Sequence, residues 1–135
     1  MRSFDVQGID LAVPRSKAFA FIADPAQLPK WTNAFAAVTA GRAVMRTPSG
    51  EVMIDLEVQA SAEKGTVDWR MRFPDHSVAT AFSRLVELDR HRCIFSFVLT
   101  PPPVPLDQLE GTLQAQSRTL AEKLRKLKEI LEHHG

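Results

Sequence analysis

The chain has 135 residues, 44% of them hydrophobic and 24% charged, with a formal net charge of +1. Such a length sets one domain as the expectation, and the composition is that of an ordinary globular protein. The near-zero charge excludes bulk attraction to nucleic acid or to an anionic membrane surface, and no apolar run approaches the roughly 18 residues that cross a bilayer.

The N-terminus, Met1-Arg2-Ser3-Phe4-Asp5, lacks the apolar stretch of a signal peptide, so a cytoplasmic location is expected. Residues 4–13 alternate apolar and polar through Phe4, Val6, Ile9, Leu11 and Val13, with a phase shift at Gly8 that predicts a bulge or bend in a first strand. Pro14 ends that strand. Arg15 to Ala23 predicts a short helix with a wide apolar face, opened by Ser16 or Pro14. Asp24-Pro25 caps a second helix, which Pro29 keeps short.

After Trp31 the period becomes two. Ala34 to Arg46 predicts one weak strand of small residues, and Thr47-Pro48-Ser49-Gly50 a turn. Val52, Ile54, Leu56 and Val58 alternate with polar or exposed-type residues, the clearest strand pattern in the chain. Val67, Trp69, Met71 and Phe73 alternate in the same way. Val78 to Leu88 places Phe82, Arg84 and Val86 on one face and Ala81, Ser83 and Leu85 on the other. Arg92 to Thr100 is apolar on both faces and holds Cys93, which reads as a buried, inert thiol. The prolines 101–103 and Pro105 mark the exit from the last strand.

Pro105 to His134 predicts one long helix. Leucines at 106, 109, 113, 120, 124, 127 and 131 fall on one stripe, along a rod about 40 Å long. The stripe is interrupted by Gln116 and Ser117, with Gly111 upstream; there packing is expected to give way to a ligand or, alternatively, to solvent near the sheet's edge. Strands followed by a helix predict an α+β protein with an antiparallel sheet. A six-stranded sheet twists and curls, and one helix covers only part of its concave side, so a cavity between helix and sheet is expected.

The stretch Ile9-Asp10-Leu11-Ala12-Val13-Pro14 through Phe19, Phe21 and Asp24-Pro25, with Trp31 some six residues on, resembles the START/Bet v 1-like (SRPBCC) superfamily. It is most similar to the small bacterial polyketide cyclase/dehydrase and lipid-transport branch, and the order of elements resembles it along the whole chain. The resemblance implies a helix-grip fold: a six- to seven-stranded curled antiparallel sheet around a long C-terminal helix, with two short helices after the first strand. It also implies a hydrophobic tunnel for a lipid, quinone or polyketide-like molecule. The chain has no tyrosine, a departure from cyclases that place Tyr inside the cavity.

Other chemistries find little support. His76 and His91 fall in turns and His133-His134 at a helix end, so no metal site is expected. Gly41, Gly50 and Gly65 stand alone in turns, which is no phosphate loop, and no cofactor is expected. Asp55 and Glu57 on one strand face Arg70 and Arg72 on the next, a solvated ion-pair face. The basic residues Lys123 to Lys128 alternate with glutamates as a solvated helix face.

The expected ligand-binding residues are Trp31, Phe35, Trp69, Met71, Phe82, Arg84, Phe95, Phe97, Thr112 and Gln116. Arg84 is the expected inward-pointing charge, and Trp31 is placed in a loop over the tunnel mouth. The first reading is a non-catalytic binder of a hydrophobic small molecule, monomeric or homodimeric, with no nucleic-acid partner and no integral membrane segment. The alternatives are a cyclase/dehydrase-type enzyme and a protein-interaction module with a filled core.

Overall fold

The computed structural model describes residues 4–47, 50–100 and 106–133, with the side chains of residues 47 and 106–113 not described. The strands are β1 (Asp5–Leu11), β2 (Phe35–Thr39), β3 (Arg42–Thr47), β4 (Gly50–Ser61), β5 (Thr66–Arg72), β6 (Val78–Asp89) and β7 (Arg92–Leu99). Between β1 and β2 lie α1 (Arg15–Ile22), a 3-10 turn (Pro25–Gln27) and α2 (Leu28–Trp31), and the chain closes on α3 (Leu106–His133). The seven strands form one curled antiparallel sheet in the order β1-β7-β6-β5-β4-β3-β2.

Local chemistry accounts for most boundaries. The Pro14 carbonyl accepts the Lys17 and Ala18 N–H groups and opens α1. The Asp24 carboxylate accepts the Ala26 N–H at 3.1 Å, the cap expected before Pro25. Asp55 pairs with Arg72 and Glu57 with Arg70 across β4 and β5, as their spacing predicts.

Two expectations are corrected. Residues 34–46 form two strands, because Gly41 adopts φ 76° and reverses the chain between Thr39 and Arg42, which pair directly. Nor does β1 bulge at Gly8: it pairs with β7 in unbroken register from Asp5–Leu99 to Leu11–Cys93. Asp5, Gln7, Ile9 and Leu11 therefore share the inner face, while Phe4 and Val6 are each 54% exposed. Continuous strand pairing outweighs the apolar phase of the first residues, and Gln7 meets its inner neighbour with a hydrogen bond instead.

The core lies between the concave face and the second half of α3. Leu120, Leu124, Leu127 and Leu131 are buried with Leu11, Ile22, Leu28, Leu85 and Phe95. One flank of α3 is tied to β1. Lys128 Nζ donates to the Asp10 carbonyl at 2.7 Å and to Glu132 Oε2 at 2.7 Å, and Glu132 also accepts the Ala12 N–H at 2.8 Å. The Lys128 hydrogen bond, followed by the Ala12 N–H, holds the Glu132 carboxyl below its ordinary value of 4.5. A carboxyl depressed in the folded state stabilises it above the unfolded pKa, and that contribution disappears as pH falls through the folded value. Urea midpoints between about pH 6 and pH 3 should accordingly fall less steeply in Glu132→Gln than in the parent.

Candidate functional site

Alternation along the strands decides what faces α3. From β7 come Cys93, Phe95, Phe97 and Leu99, and from β5 Val67, Trp69 and Met71. From β6 come Ala81, Ser83 and Leu85. The deep end of this face is sealed by the leucines of α3. Toward the start of α3 the inner positions Met71, Ala81, Phe97 and Leu99 are only half-buried. Among the described side chains of α3, the buried leucines run from Leu120 to Leu131.

Four aromatic rings meet on the inner side. Trp31, from the end of α2, lies 6.2 Å from Trp69 and 6.3 Å from Phe95, edge to face with the latter. Trp69 stacks on Phe97 at 6.0 Å, and Phe97 meets Phe95 at 6.4 Å. Offset and edge-to-face pairs of this kind add to the burial of the rings themselves. Trp31 and Trp69 are 2% and 4% exposed, yet neither indole N–H has a protein partner among the described residues. The buried Thr32 hydroxyl and Ser117 Oγ also lack one.

A polar edge runs along β1. Gln7 Nε2 donates to Asp5 Oδ2 at 2.7 Å and to the Ser117 carbonyl at 2.8 Å. Across the helix, Lys123 is half-buried, burial lowers its pKa, and it forms no ion pair among the described residues. The Cys93 thiol is fully buried and burial raises its pKa, an environment that disfavours the thiolate.

Of the residues expected to bind a ligand, Trp31, Phe35, Trp69 and Phe95 are buried on the inner side, and Met71 and Phe97 are half-buried there. Trp31 ends a helix and is enclosed, whereas a loop at the mouth was expected. Phe82 and Arg84 are corrections: both lie on the outer face, Phe82 44% exposed. On the inner side of β6, Ala81 and Ser83 lie opposite Trp69 and Phe97, which stack on each other. Ser83 satisfies its hydroxyl on the Val67 carbonyl. Arg84 instead lines an open groove of about 430 Å³ beside the β4–β5 turn, with Arg15, Glu63 and Lys64. Gln116 is exposed, while its neighbour Ser117 is half-buried and in contact with β1, so the interruption in the leucine stripe divides between solvent and sheet. The Thr112 side chain and prolines 101–103 and 105 lie outside the described residues.

The sequence reading missed Asp5, Gln7 and Thr32. The alternation of Asp5, Gln7 and Ile9 was legible, but the apolar phase of Phe4 and Val6 masked it. Nothing local marks Thr32.

A long helix lying across a curled antiparallel sheet, with short helices after the first strand, is the arrangement of the helix-grip class. No family model and no curated protein matches the sequence. Solved structures do resemble it. A START superfamily protein from Mycobacterium smegmatis superposes with a TM-score of 0.74 at 13% identity, covering 98% of this chain and 99% of that one. An aromatase/cyclase, ZhuI, from Streptomyces sp. R1128 superposes at 0.69 with 11% identity, over 96% and 93% of the two chains. The Aha1 dimer from Colwellia psychrerythraea gives 0.62 with 17% identity, over 97% of each. The chain has the START/SRPBCC-like fold. Among the described residues, no helix is long and apolar enough to cross a membrane.

Proposed function

We propose that the protein binds a hydrophobic small molecule, lipid-, quinone- or polyketide-like, between the concave face of the sheet and the first half of α3. The observation that carries this reading is the contrast between the two ends of the inner face of the sheet. Leu120, Leu124, Leu127 and Leu131 fill the space over one end; at the other Met71, Phe97 and Leu99 are half-buried beside two enclosed tryptophans whose N–H groups have no protein partner among the described residues. Apolar surface with a few convergent polar groups is the usual make-up of a small-molecule site. The similarity to a START superfamily protein and to an aromatase/cyclase supports ligand binding in this fold.

Native mass spectrometry of the protein purified from its own source tests the proposal. The expected result is a chain-plus-ligand mass that organic solvent reduces to the bare chain. A bare chain from the outset, together with no fluorescence gain from an apolar naphthalene dye, would overturn it.

A second reading rests on the outer face. Val6, Val98 and Phe82 form one cross-strand row over β1, β7 and β6, with Val86 beside Ile94 in a parallel row. Val6, Phe82 and Val86 are exposed, and contiguous exposed apolar surface is a feature of interaction proteins. A protein that takes up no apolar molecule yet pulls down a partner only while Phe82 is intact would favour this reading.

A further inference from the structure

Five buried side-chain polar atoms lack a protein partner among the described residues, and four of them can donate a hydrogen bond: Trp31 Nε1, Trp69 Nε1, Thr32 Oγ1 and Ser117 Oγ. The fifth, Gln27 Oε1, only accepts, and the Gln27 amide Nε2 is engaged with Asp24. An indole N–H is a donor and nothing else. Left unpaired at 2% and 4% exposure, each indole N–H carries a desolvation cost that most native sites avoid by supplying an acceptor. The two rings are neighbours, 6.2 Å apart and tilted by 60°, so both N–H groups belong to one aromatic cluster. Thr32 follows Trp31 directly and adds a third donor, 5% exposed. The surrounding surface supplied by Phe95, Phe97 and Met71 is apolar.

We infer that the molecule bound here carries a hydrogen-bond acceptor, a carbonyl oxygen on a planar apolar body, which takes the N–H of Trp69 and of Trp31. This rests on the binding reading above and adds its polar requirement. A pure hydrocarbon would leave both donors unpaired. A ligand whose polar end only donates would leave both indole N–H groups unpaired. The stacked Trp69–Phe97 pair, with ring planes 27° apart, offers a flat wall suited to a planar body.

The experiment compares two molecules of one shape, 9-fluorenone and fluorene, by equilibrium dialysis against the full chain. They differ in a carbonyl against a methylene at the same carbon. Apolar burial alone favours the hydrocarbon, so the sign of the preference is decisive. The expected result is fluorenone binding roughly tenfold more tightly, the scale of one or two net hydrogen bonds. Trp69→Phe and Trp31→Phe keep a ring and remove the N–H. Each should reduce the preference for fluorenone while leaving fluorene affinity within about twofold. Circular dichroism identifies a variant that fails to fold, and the parent ratio and the other variant then decide. Equal or tighter binding of fluorene by the parent overturns the inference and leaves the binding reading standing. A fluorenone preference that survives both substitutions also overturns it. Failure of both molecules to bind overturns the inference together with the binding reading.

Discussion

Phe95→Ala is expected to lower the stability of the fold by about 3–5 kcal/mol, the range for truncating a fully buried aromatic side chain. Phe95 is 0% exposed, with partners on three sides. It pairs with Ile9 on β1 and Leu85 on β6, and meets the edge or face of Trp31 and Phe97. These neighbours come from four different elements, so no single one can move in to fill the space. For a chain of this length the loss corresponds to a fall in thermal midpoint of roughly 10–20 °C. Calorimetry would read it directly. A change under about 1 kcal/mol would mean that the aromatic cluster is loosely packed and that its geometry cannot position a ligand.

Gly65→Ala should be comparably damaging for a different reason. Gly65 has φ 74°, is buried in the β4–β5 turn, and its carbonyl accepts the Leu85 N–H at 2.7 Å. A Cβ there would overlap the Leu85 carbonyl oxygen and the Arg15 guanidinium. The arginine cannot retreat freely, because its Nη2 donates to the carbonyls of Ala62 at 2.9 Å and Glu63 at 3.2 Å. The left-handed conformation costs an alanine about 1–2 kcal/mol, and overpacking typically adds a further ~1–3 kcal/mol. Gly41→Ala is the internal control. Its φ of 76° is nearly the same, but a Cβ there would meet nothing within 4 Å. Urea unfolding should therefore show Gly41→Ala losing only the conformational part. Equal losses in the two variants would refute the steric argument and the role of Arg15 in clamping the turn.

The candidate site was legible in part. Trp69 and Met71 alternate with Arg70 and Arg72, so their inward direction follows from a period of two on a strand with one charged face. Phe95 and Phe97 could not be assigned that way, because β7 is apolar on both faces, and only its register with β1 and β6 orients them. On β6 the same ambiguity led to the wrong face. Both faces of β6 carry apolar residues, Phe82 and Val86 on one and Ala81 and Leu85 on the other, so alternation alone does not say which is inner. Its register sets Ala81 opposite Trp69 and Ser83 opposite Phe97, so the face with the smaller residues is the inner one.

Apart from the reversal at Gly41 that splits residues 34–46 into two strands, the sequence by itself determined the kind and order of the elements, the antiparallel sheet, the leucine stripe and the cross-strand pairing of Asp55 and Glu57 with Arg72 and Arg70. These depend on periodicity, turn chemistry and hairpin closure, all of which are local. Only the tertiary structure decided that Asp5 and Gln7 face the helix, that Ser117 and Gln116 part company, and that Trp31 meets Trp69. Those outcomes depend on which surfaces compete for one enclosed volume, and that competition is between residues far apart in the chain. The two indole N–H groups without a partner among the described residues belong to the second kind: each tryptophan was visible in the sequence, but the shortage of acceptors among the described residues around them was not.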